Sequence, residues 1–168
     1  METLWLVGMM GAGKSAVGRR VAARLGETFV DLDEQIAAGF GAGIPELFAA
    51  GGEEAFREAE AEAVEGVAGR RAVVAAGGGA VLRESSRTAM RAGGLVVWLD
   101  AVPRELGRRV GGGEGRPLLS GREPAEAVAE LAAAREPAYR DAAHHRLDTT
   151  GRSVDEVAEE VIALWTRS

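Results

Sequence analysis

Short apolar runs alternate along the chain with segments whose apolar residues recur every three or four positions. Residues 4–7 form a continuous apolar run that ends at Gly8, which predicts a buried strand. Residues 14–25 instead place Val17, Val21 and Leu25 four apart, which predicts an amphipathic helix. The change of period from one segment to the next indicates a protein that contains both strands and helices.

The same reasoning gives the remaining elements. Strands are predicted at residues 4–7, 28–32, 72–76, 95–99 and 146–148; helices are predicted at residues 14–25, 44–67, 85–91 and 154–165, from Pro103 onward, and at 124–143. Glycines should break the second helix around Gly51 and Gly52, and Pro137 should interrupt or kink the helix that contains it. Apolar strands that alternate with helices predict an α/β fold whose parallel sheet is covered on both faces.

Length and composition limit the possible functions. A chain of 168 residues is the size of one domain, and 46% hydrophobic with 27% charged residues is typical of globular proteins. The formal net charge of −6 argues against a nucleic-acid partner, because domains that bind nucleic acids are usually basic. Cysteine is absent, and no apolar run approaches the roughly 18 residues of a membrane span. We therefore expect a cytoplasmic protein with no membrane partner.

A phosphate-binding motif lies between the first predicted strand and the first predicted helix. Residues 8–15 read Gly-Met-Met-Gly-Ala-Gly-Lys-Ser, which fits G-x-x-x-x-G-K-[ST] in the required context. Lys14 is the one lysine among the 20 basic residues. Lys14 would reach the terminal phosphates of ATP, and the hydroxyl of Ser15 would bind Mg²⁺. The residues expected to contact ATP here are Gly11, Ala12, Gly13, Lys14, Ser15 and Ala16, and Ala16 stands where many such kinases carry threonine.

Two carboxylates follow the second predicted strand. Asp31 and Asp33 are two positions apart, so alternation along a strand would point both side chains the same way. One would help to hold Mg²⁺, and the other would accept a proton from the substrate hydroxyl. The alternative is a helix N-cap followed by an acidic first turn.

Two further patterns suggest a second substrate site. Arg57 and Glu60 are three apart on one helical face, which fits either a functional pair or an exposed ion pair. Gly77, Gly78 and Gly79 follow a predicted strand, and three successive glycines suggest that another group closely approaches the main chain.

Taken together in their order, these motifs resemble those of the shikimate kinase family over nearly the whole chain. The matching segments are the P-loop beginning Leu6-Val7-Gly8, Asp31-x-Asp33, Arg57-x2-Glu60-x3-Val64, Val73-Val74-Ala75-x-Gly77-Gly78-Gly79-x-Val81, Arg116-Pro117-Leu118-Leu119 and Arg135-x-Pro137-x-Tyr139. The resemblance implies a three-layer α/β sandwich whose five-stranded parallel sheet is ordered 2-3-1-4-5. It also implies one kinase domain over residues 1–168, a substrate-binding helical region at about 33–66 and a lid at about 111–123.

The resemblance further implies transfer of the γ-phosphoryl group of ATP to the 3-hydroxyl of shikimate, with Mg²⁺, by a monomer. By position, Asp33 matches the base, Asp31 the carboxylate near Mg²⁺, and Lys14 and Arg116 the groups that act on the transferred phosphate. The residues that match shikimate contacts are Asp33, Arg57, Gly78, Gly79 and Arg135, with Glu60 holding Arg57 in place. Arg109 and Arg152 match arginines that flank adenine.

Three other functions remain open at this point. Gluconate kinase would share the P-loop and fold, but it would not be expected to share the arginine and triple-glycine patterns. A regulatory module that only binds ATP would need neither Asp33 nor Arg116. A hydrolase-type switch would need a water-positioning residue, and the sequence offers no candidate for one.

Overall fold

Five parallel strands form the centre of the fold in the computed structural model, which describes residues 2–111, 121 and 123–168. The strands are β1 (Thr3–Val7), β2 (Thr28–Asp31), β3 (Ala72–Ala75), β4 (Gly94–Asp100) and β5 (His145–Asp148). They are ordered β2-β3-β1-β4-β5, and every neighbouring pair is parallel. The order confirms the topology that the family resemblance implied.

The described helices cover both faces of this sheet. They are α1 (Lys14–Leu25), α2 (Leu32–Phe40), α3 (Ile44–Val67), α4 (Glu84–Gly93), α5 (Pro103–Val110), α6 (Pro124–Ala142) and α7 (Val154–Trp165). Helices α1 and α7 pack together, and α4 packs against both α3 and α6. Helical layers on both faces explain why the strands carry continuous apolar runs rather than an alternating pattern.

The core is centred on β1, whose five residues are all buried. Leu4 pairs with Val73 of β3 on one side and with Leu95 of β4 on the other. Strands β2 and β5 lie at the two edges and are partly exposed, which is why β5 can carry Arg146. The central strands therefore form a rigid base for the loops at their carboxyl ends.

Most element ends lie within one or two residues of the sequence prediction, and two differences have a clear physical cause. Strand β2 ends at Asp31, and Leu32 already begins α2, because the Asp31 side chain accepts hydrogen bonds from the backbone of the next turn. The predicted interruption at Pro137 is wrong, since α6 continues to Ala142. Burial of Arg135, Tyr139 and Ala142 anchors this helix on both sides of the proline, so packing outweighs one lost hydrogen bond.

The predicted break in α3 is confirmed. Gly52 has φ 74° and ψ −178°, a conformation that leaves the helix and that glycine adopts at low cost. The second half of α3 then carries Phe56, Arg57 and Glu60 as buried residues. The bend therefore decides which face of the second half of α3 is buried.

Candidate active site

The loop between β1 and α1 forms a cradle at the carboxyl edge of the sheet. Gly8, Gly11 and Gly13 have φ values of 144°, 81° and 90°, a region of backbone space that side chains disfavour. A side chain on Gly8 would also overlap the backbone of Leu99. Helix α1 begins at Lys14, so its unpaired N–H groups face the cradle and favour an anion there.

The charged and polar groups of the cradle are close together. Lys14 Nζ donates to the carbonyl oxygens of Gly8 and Met9 at 2.9 Å each. Ser15 Oγ donates to Asp31 Oδ2 at 2.5 Å. These groups border a cavity of about 350 Å³ whose lining includes Gly11, Gly13, Lys14, Ser15, Ala16, Asp31, Asp33 and Arg109. The cavity is thus lined by most of the residues predicted to contact ATP.

Asp31 and Asp33 are positioned by a helix start and not by strand alternation, so that prediction is wrong. Asp31 is the N-cap of α2 and accepts from the backbone N–H groups of Asp33 and Glu34 at 3.1 and 3.4 Å. Asp33 lies in the first turn of α2 and lines the same cavity. The capping interpretation is therefore correct for Asp31, which also faces Ser15. The two carboxylates share one cavity although only Asp31 belongs to a strand.

The three glycines after β3 leave space for four side chains. A β-carbon on Gly77 would overlap Glu60 Oε1 and lie 2.7 Å from Asp33 Oδ1. A β-carbon on Gly78 would lie 3.2 Å from Arg135 Nη1, and one on Gly79 would overlap the Arg57 guanidinium. The close approach predicted from the glycine run is thus made by side chains of the protein itself.

Arg57 and Glu60 form a buried pair and not an exposed one. Arg57 Nη1 donates to Glu60 Oε2 at 2.5 Å, and the two side chains are only 8% and 2% exposed. Burial raises the pKa of Glu60; Arg57 opposes this shift, and nearby Asp33 adds to it. Among the described residues, Arg57 Nε and Glu60 Oε1 are buried without a hydrogen-bond partner. Such orphaned atoms are costly unless a ligand meets them.

Helix α6 brings a second buried arginine to the glycine turn. Arg135 is 4% exposed and lies beside Gly78. Tyr139, one turn later on α6, donates a hydrogen bond from its hydroxyl to the Gly78 carbonyl. The turn formed by Gly77, Gly78 and Gly79 is thus held between α3 and α6.

The two arginines predicted to flank adenine line one small cavity beside the cradle. Arg109 donates to Gly11 O at 3.3 Å and to the carbonyl of Thr149 at 3.0 Å, and it is paired with Glu105. Arg109 and Arg152 both line a cavity of about 170 Å³, together with Ala12, Gly13, Val17, Thr149, Ser153, Val154 and Val157. An apolar floor with arginines at its rim has the character of a site for a planar base.

Part of the sequence prediction lies outside the described residues. This applies to Arg116 and to the predicted lid at 111–123, of which Gly111, Gly121 and Glu123 alone are described. Two contributors within the described residues were not predicted. Thr149 holds Arg109, and the hydroxyl of Tyr139 contacts the glycine turn. No local sequence signal points to either contact, because the partners are 40 and 61 residues apart.

Comparisons with known proteins agree on one family. A family model described as shikimate kinase matches residues 10–166. The shikimate kinase of Symbiobacterium thermophilum is 50% identical over 161 residues, which cover 94% of this chain and 92% of that protein. The structure of the shikimate kinase of Acinetobacter baumannii in complex with shikimate has a TM-score of 0.94 at 34% identity, covering 98% of this chain and 92% of that one.

The comparison with a gluconokinase is weaker. The structure of a gluconokinase from Sinorhizobium meliloti 1021 has a TM-score of 0.60 at 18% identity, covering 99% of this chain and 92% of that one. A likeness at this level of identity shows a shared fold alone. It gives no support to gluconate as the acceptor.

Proposed function

This chain belongs to the shikimate kinase family, and from that membership we propose that it transfers the γ-phosphoryl group of ATP to the 3-hydroxyl of shikimate. The products are shikimate 3-phosphate and ADP, in the biosynthesis of chorismate and the aromatic amino acids. The observation that carries the proposal is the convergence of Asp33, Arg57, Glu60 and Arg135 on the glycine turn beside the phosphate cradle.

The chemistry of these groups suits a small hydroxylated carboxylic acid. Guanidinium groups bind carboxylates through two parallel hydrogen bonds, and Arg57 and Arg135 would do so from opposite sides of the turn. Both are buried, so their charges are little screened by water. The unpartnered Nε of Arg57 would also gain an acceptor.

Asp33 is proposed as the group that receives the proton of the substrate hydroxyl. It lies between the phosphate cavity and the glycine turn, where the acceptor and the γ-phosphate would have to meet. A carboxylate there orients the hydroxyl oxygen for in-line attack and takes its proton as the new bond forms. Lys14 would neutralise negative charge on the transferred phosphoryl group.

Mg²⁺ is proposed as the cofactor. The hydroxyl of Ser15 and the carboxylate of Asp31 are hard oxygen donors on the wall of the phosphate cavity, which suits this ion. When bound with ATP, Mg²⁺ neutralises phosphate charge. Asp31 is already fixed by the backbone of α2, so it would hold its position as the site fills.

The remaining assignments stay proposals from the sequence. We propose that Gly11, Ala12, Gly13 and Ala16 contact the phosphates, that Arg109 and Arg152 flank adenine, and that Gly78 and Gly79 contact shikimate. We also propose that the chain is one kinase domain with a substrate-binding region at 33–66 and a lid that carries Arg116. A monomeric state and a cytoplasmic location are proposed as well. The net charge of −6 speaks against a nucleic-acid partner. None of the described helices is long and apolar enough to cross a membrane.

The proposal is tested by measuring ADP release, coupled to NADH oxidation, with MgATP and either shikimate, gluconate or no acceptor. We expect turnover with shikimate alone. A Lys14→Met protein prepared in the same way controls for contaminating kinases and should be inactive with all three. Turnover with gluconate, or ATP hydrolysis independent of acceptor, would overturn the proposed substrate.

A further inference from the structure

Tyr139 connects α6 to the glycine turn through a contact that the proposed chemistry does not use. The residue is 1% exposed, and its hydroxyl donates to the carbonyl of Gly78, 61 residues away in the chain. A buried phenol normally finds one hydrogen-bond partner. Here the partner is the backbone of the turn proposed to contact substrate.

The turn itself leaves two backbone donors unused. Ala80 N–H donates to the Gly77 carbonyl at 3.1 Å, so Gly78 and Gly79 are the central residues of a β-turn. In the described part of the chain, the N–H groups of Gly78 and Gly79 donate no hydrogen bond. Arg135 lies beside Gly78 and Arg57 beside Gly79, so these N–H groups belong to the same anion-binding region.

The planarity of the peptide bond links Tyr139 to one of these donors. The carbonyl of Gly78 and the N–H of Gly79 belong to one peptide unit and point in opposite directions when it is trans. No cis peptide bond occurs in the described residues. A hydrogen bond that fixes the Gly78 carbonyl therefore also fixes the direction of the Gly79 N–H.

The ring of Tyr139 is itself held in place. Trp98 of β4 stacks on it, with ring centroids 5.5 Å apart and an interplanar angle of 21°. The guanidinium of Arg146 lies 4.5 Å from the centroid of the Trp98 ring. These three side chains form a column, Arg146–Trp98–Tyr139, from edge strand β5 to the glycine turn. The column restricts the phenol to one orientation.

The hydroxyl also remains a donor at all working pH values. Burial raises the pKa of Tyr139 above its usual range, and Arg135 opposes this shift through its charge and its contact with the hydroxyl. The phenol therefore stays protonated and can always donate to Gly78. The hydroxyl and the guanidinium of Arg135, one of the arginines proposed to bind the substrate carboxylate, both lie at Gly78, and the two residues are four apart on α6.

We propose that Tyr139 is a positioning residue for shikimate, which orients the Gly79 N–H through the Gly78 carbonyl and keeps the Arg135 guanidinium beside the turn. The inference rests on the proposed function, since it assigns this turn to the acceptor. Tyr139 acts only through the turn and Arg135. Loss of its hydroxyl should therefore weaken the binding of shikimate and leave the binding of ATP unchanged.

The test is Tyr139→Phe, which removes the hydroxyl and keeps the ring on Trp98. We expect KM for shikimate to rise about 3- to 10-fold, the effect of losing one hydrogen bond. KM for ATP should stay within about two-fold of the wild-type value. An unchanged KM for shikimate, or an equal rise for both substrates, would overturn the positioning role.

The matched control is Arg140→Gln, on the same helix as Tyr139, where the side chain is 71% exposed and paired with Glu136. It removes a charge next to Tyr139 in the chain but leaves the Tyr139 hydrogen bond and the stack on Trp98, so KM for shikimate should change less than two-fold. If Tyr139→Phe does not fold, Trp98→Phe loosens the stack while the hydroxyl remains. That variant should raise KM for shikimate selectively, and an unchanged value would contradict the inference.

Turnover of shikimate by the wild-type enzyme tests the proposed function independently of this inference. If it does not turn over shikimate at all, the proposed function fails. If it does, and Tyr139→Phe has the wild-type KM, the positioning role alone fails.

Discussion

Asp31 and Asp33 show how neighbouring carboxylates acquire different tasks. Asp31 accepts two hydrogen bonds from backbone N–H groups of α2 and one from the Ser15 hydroxyl. These three donors fix the orientation of its carboxylate. Asp33 is one half-turn into the helix, where it borders both the phosphate cavity and Gly77. The first residue is suited to hold a cation in place, and the second to meet a hydroxyl group.

Asp33→Asn is expected to lower kcat by about 10²- to 10⁴-fold, the usual contribution of a general base. The Kd for MgATP should change little, because the cradle residues remain. Glu34→Gln is the matched control: it removes a charge in the same helical turn, but Glu34 is 67% exposed and paired with Arg19. Steady-state kinetics measure kcat, and nucleotide titration measures Kd. A near wild-type kcat for Asp33→Asn would exclude it as the base.

Arg135→Ala is expected to raise KM for shikimate about 10- to 100-fold, since hydrogen bonds to a charged group are strong. KM for ATP should remain near the wild-type value. Arg140→Ala removes the same side chain from a site on α6 that is 71% exposed, and it should leave both constants unchanged. Equal effects of Arg135→Ala on both substrates would point to a structural role instead.

At the scale of elements, helix caps decide how the loops approach the site. Helix α7 begins with a capping box, in which Ser153 Oγ accepts from the Glu156 N–H and the Glu156 carboxylate accepts from the Ser153 N–H. The Ser153 hydroxyl also donates to Glu156 Oε2 at 2.7 Å, and this bond, followed by the bond from the Ser153 N–H, holds the pKa of Glu156 below its usual range. Because Ser153 lines the cavity assigned to adenine, the cap also fixes one wall of that site.

Ser153→Ala should lower the free energy of unfolding by about 1 kcal/mol, because α7 loses its cap. For a domain of this size, Tm should fall by about 2–4 °C. Ser85→Ala on α4, at an exposed position, is the control and should change stability by less than about 0.5 kcal/mol. Thermal unfolding followed by circular dichroism measures both. Equal Tm values for the two variants would show that the capping box does not contribute.

On the scale of the whole molecule, an acidic protein brings buried cationic groups to the site proposed for two anionic substrates. The chain carries 26 acidic and 20 basic residues, yet Lys14, Arg57 and Arg135 meet at the carboxyl edge of the sheet. Elsewhere arginines form ion pairs on the surface, such as Arg24 of α1 with Asp155 of α7 at 2.9 Å. Net charge therefore describes the surface and says little about the site.

Binding of MgADP should stabilise the folded protein, because the nucleotide binds only the native state. At 100 times Kd the gain is about 2.7 kcal/mol, or a Tm increase of about 5–10 °C. EDTA should reduce this shift by removing Mg²⁺. Ser15→Ala should lose the EDTA-sensitive part, and Ser85→Ala should keep it. A shift that is the same with and without EDTA would contradict metal binding at Ser15 and Asp31.

The sequence by itself determined those features whose causes lie within a few residues of each other. Residues 14–25 are helical in the structure as predicted, because their apolar spacing and flanking glycines are local signals. The phosphate cradle was predictable for the same reason, since its glycines and Lys14 follow one another in the chain. The break at Gly52 also needed only local backbone preference.

Only the tertiary structure decided which groups share the site and what holds them there. The sequence could suggest that something approaches the three glycines, but not that Glu60, Arg135 and Arg57 are what approach. The hydrogen bond of Tyr139 to Gly78 was equally hidden. The side chains that meet at the turn come from α2 and α3, which follow each other in the chain, and from the distant α6. Their distances are set by how the helices pack on the sheet, and no local pattern carries that information.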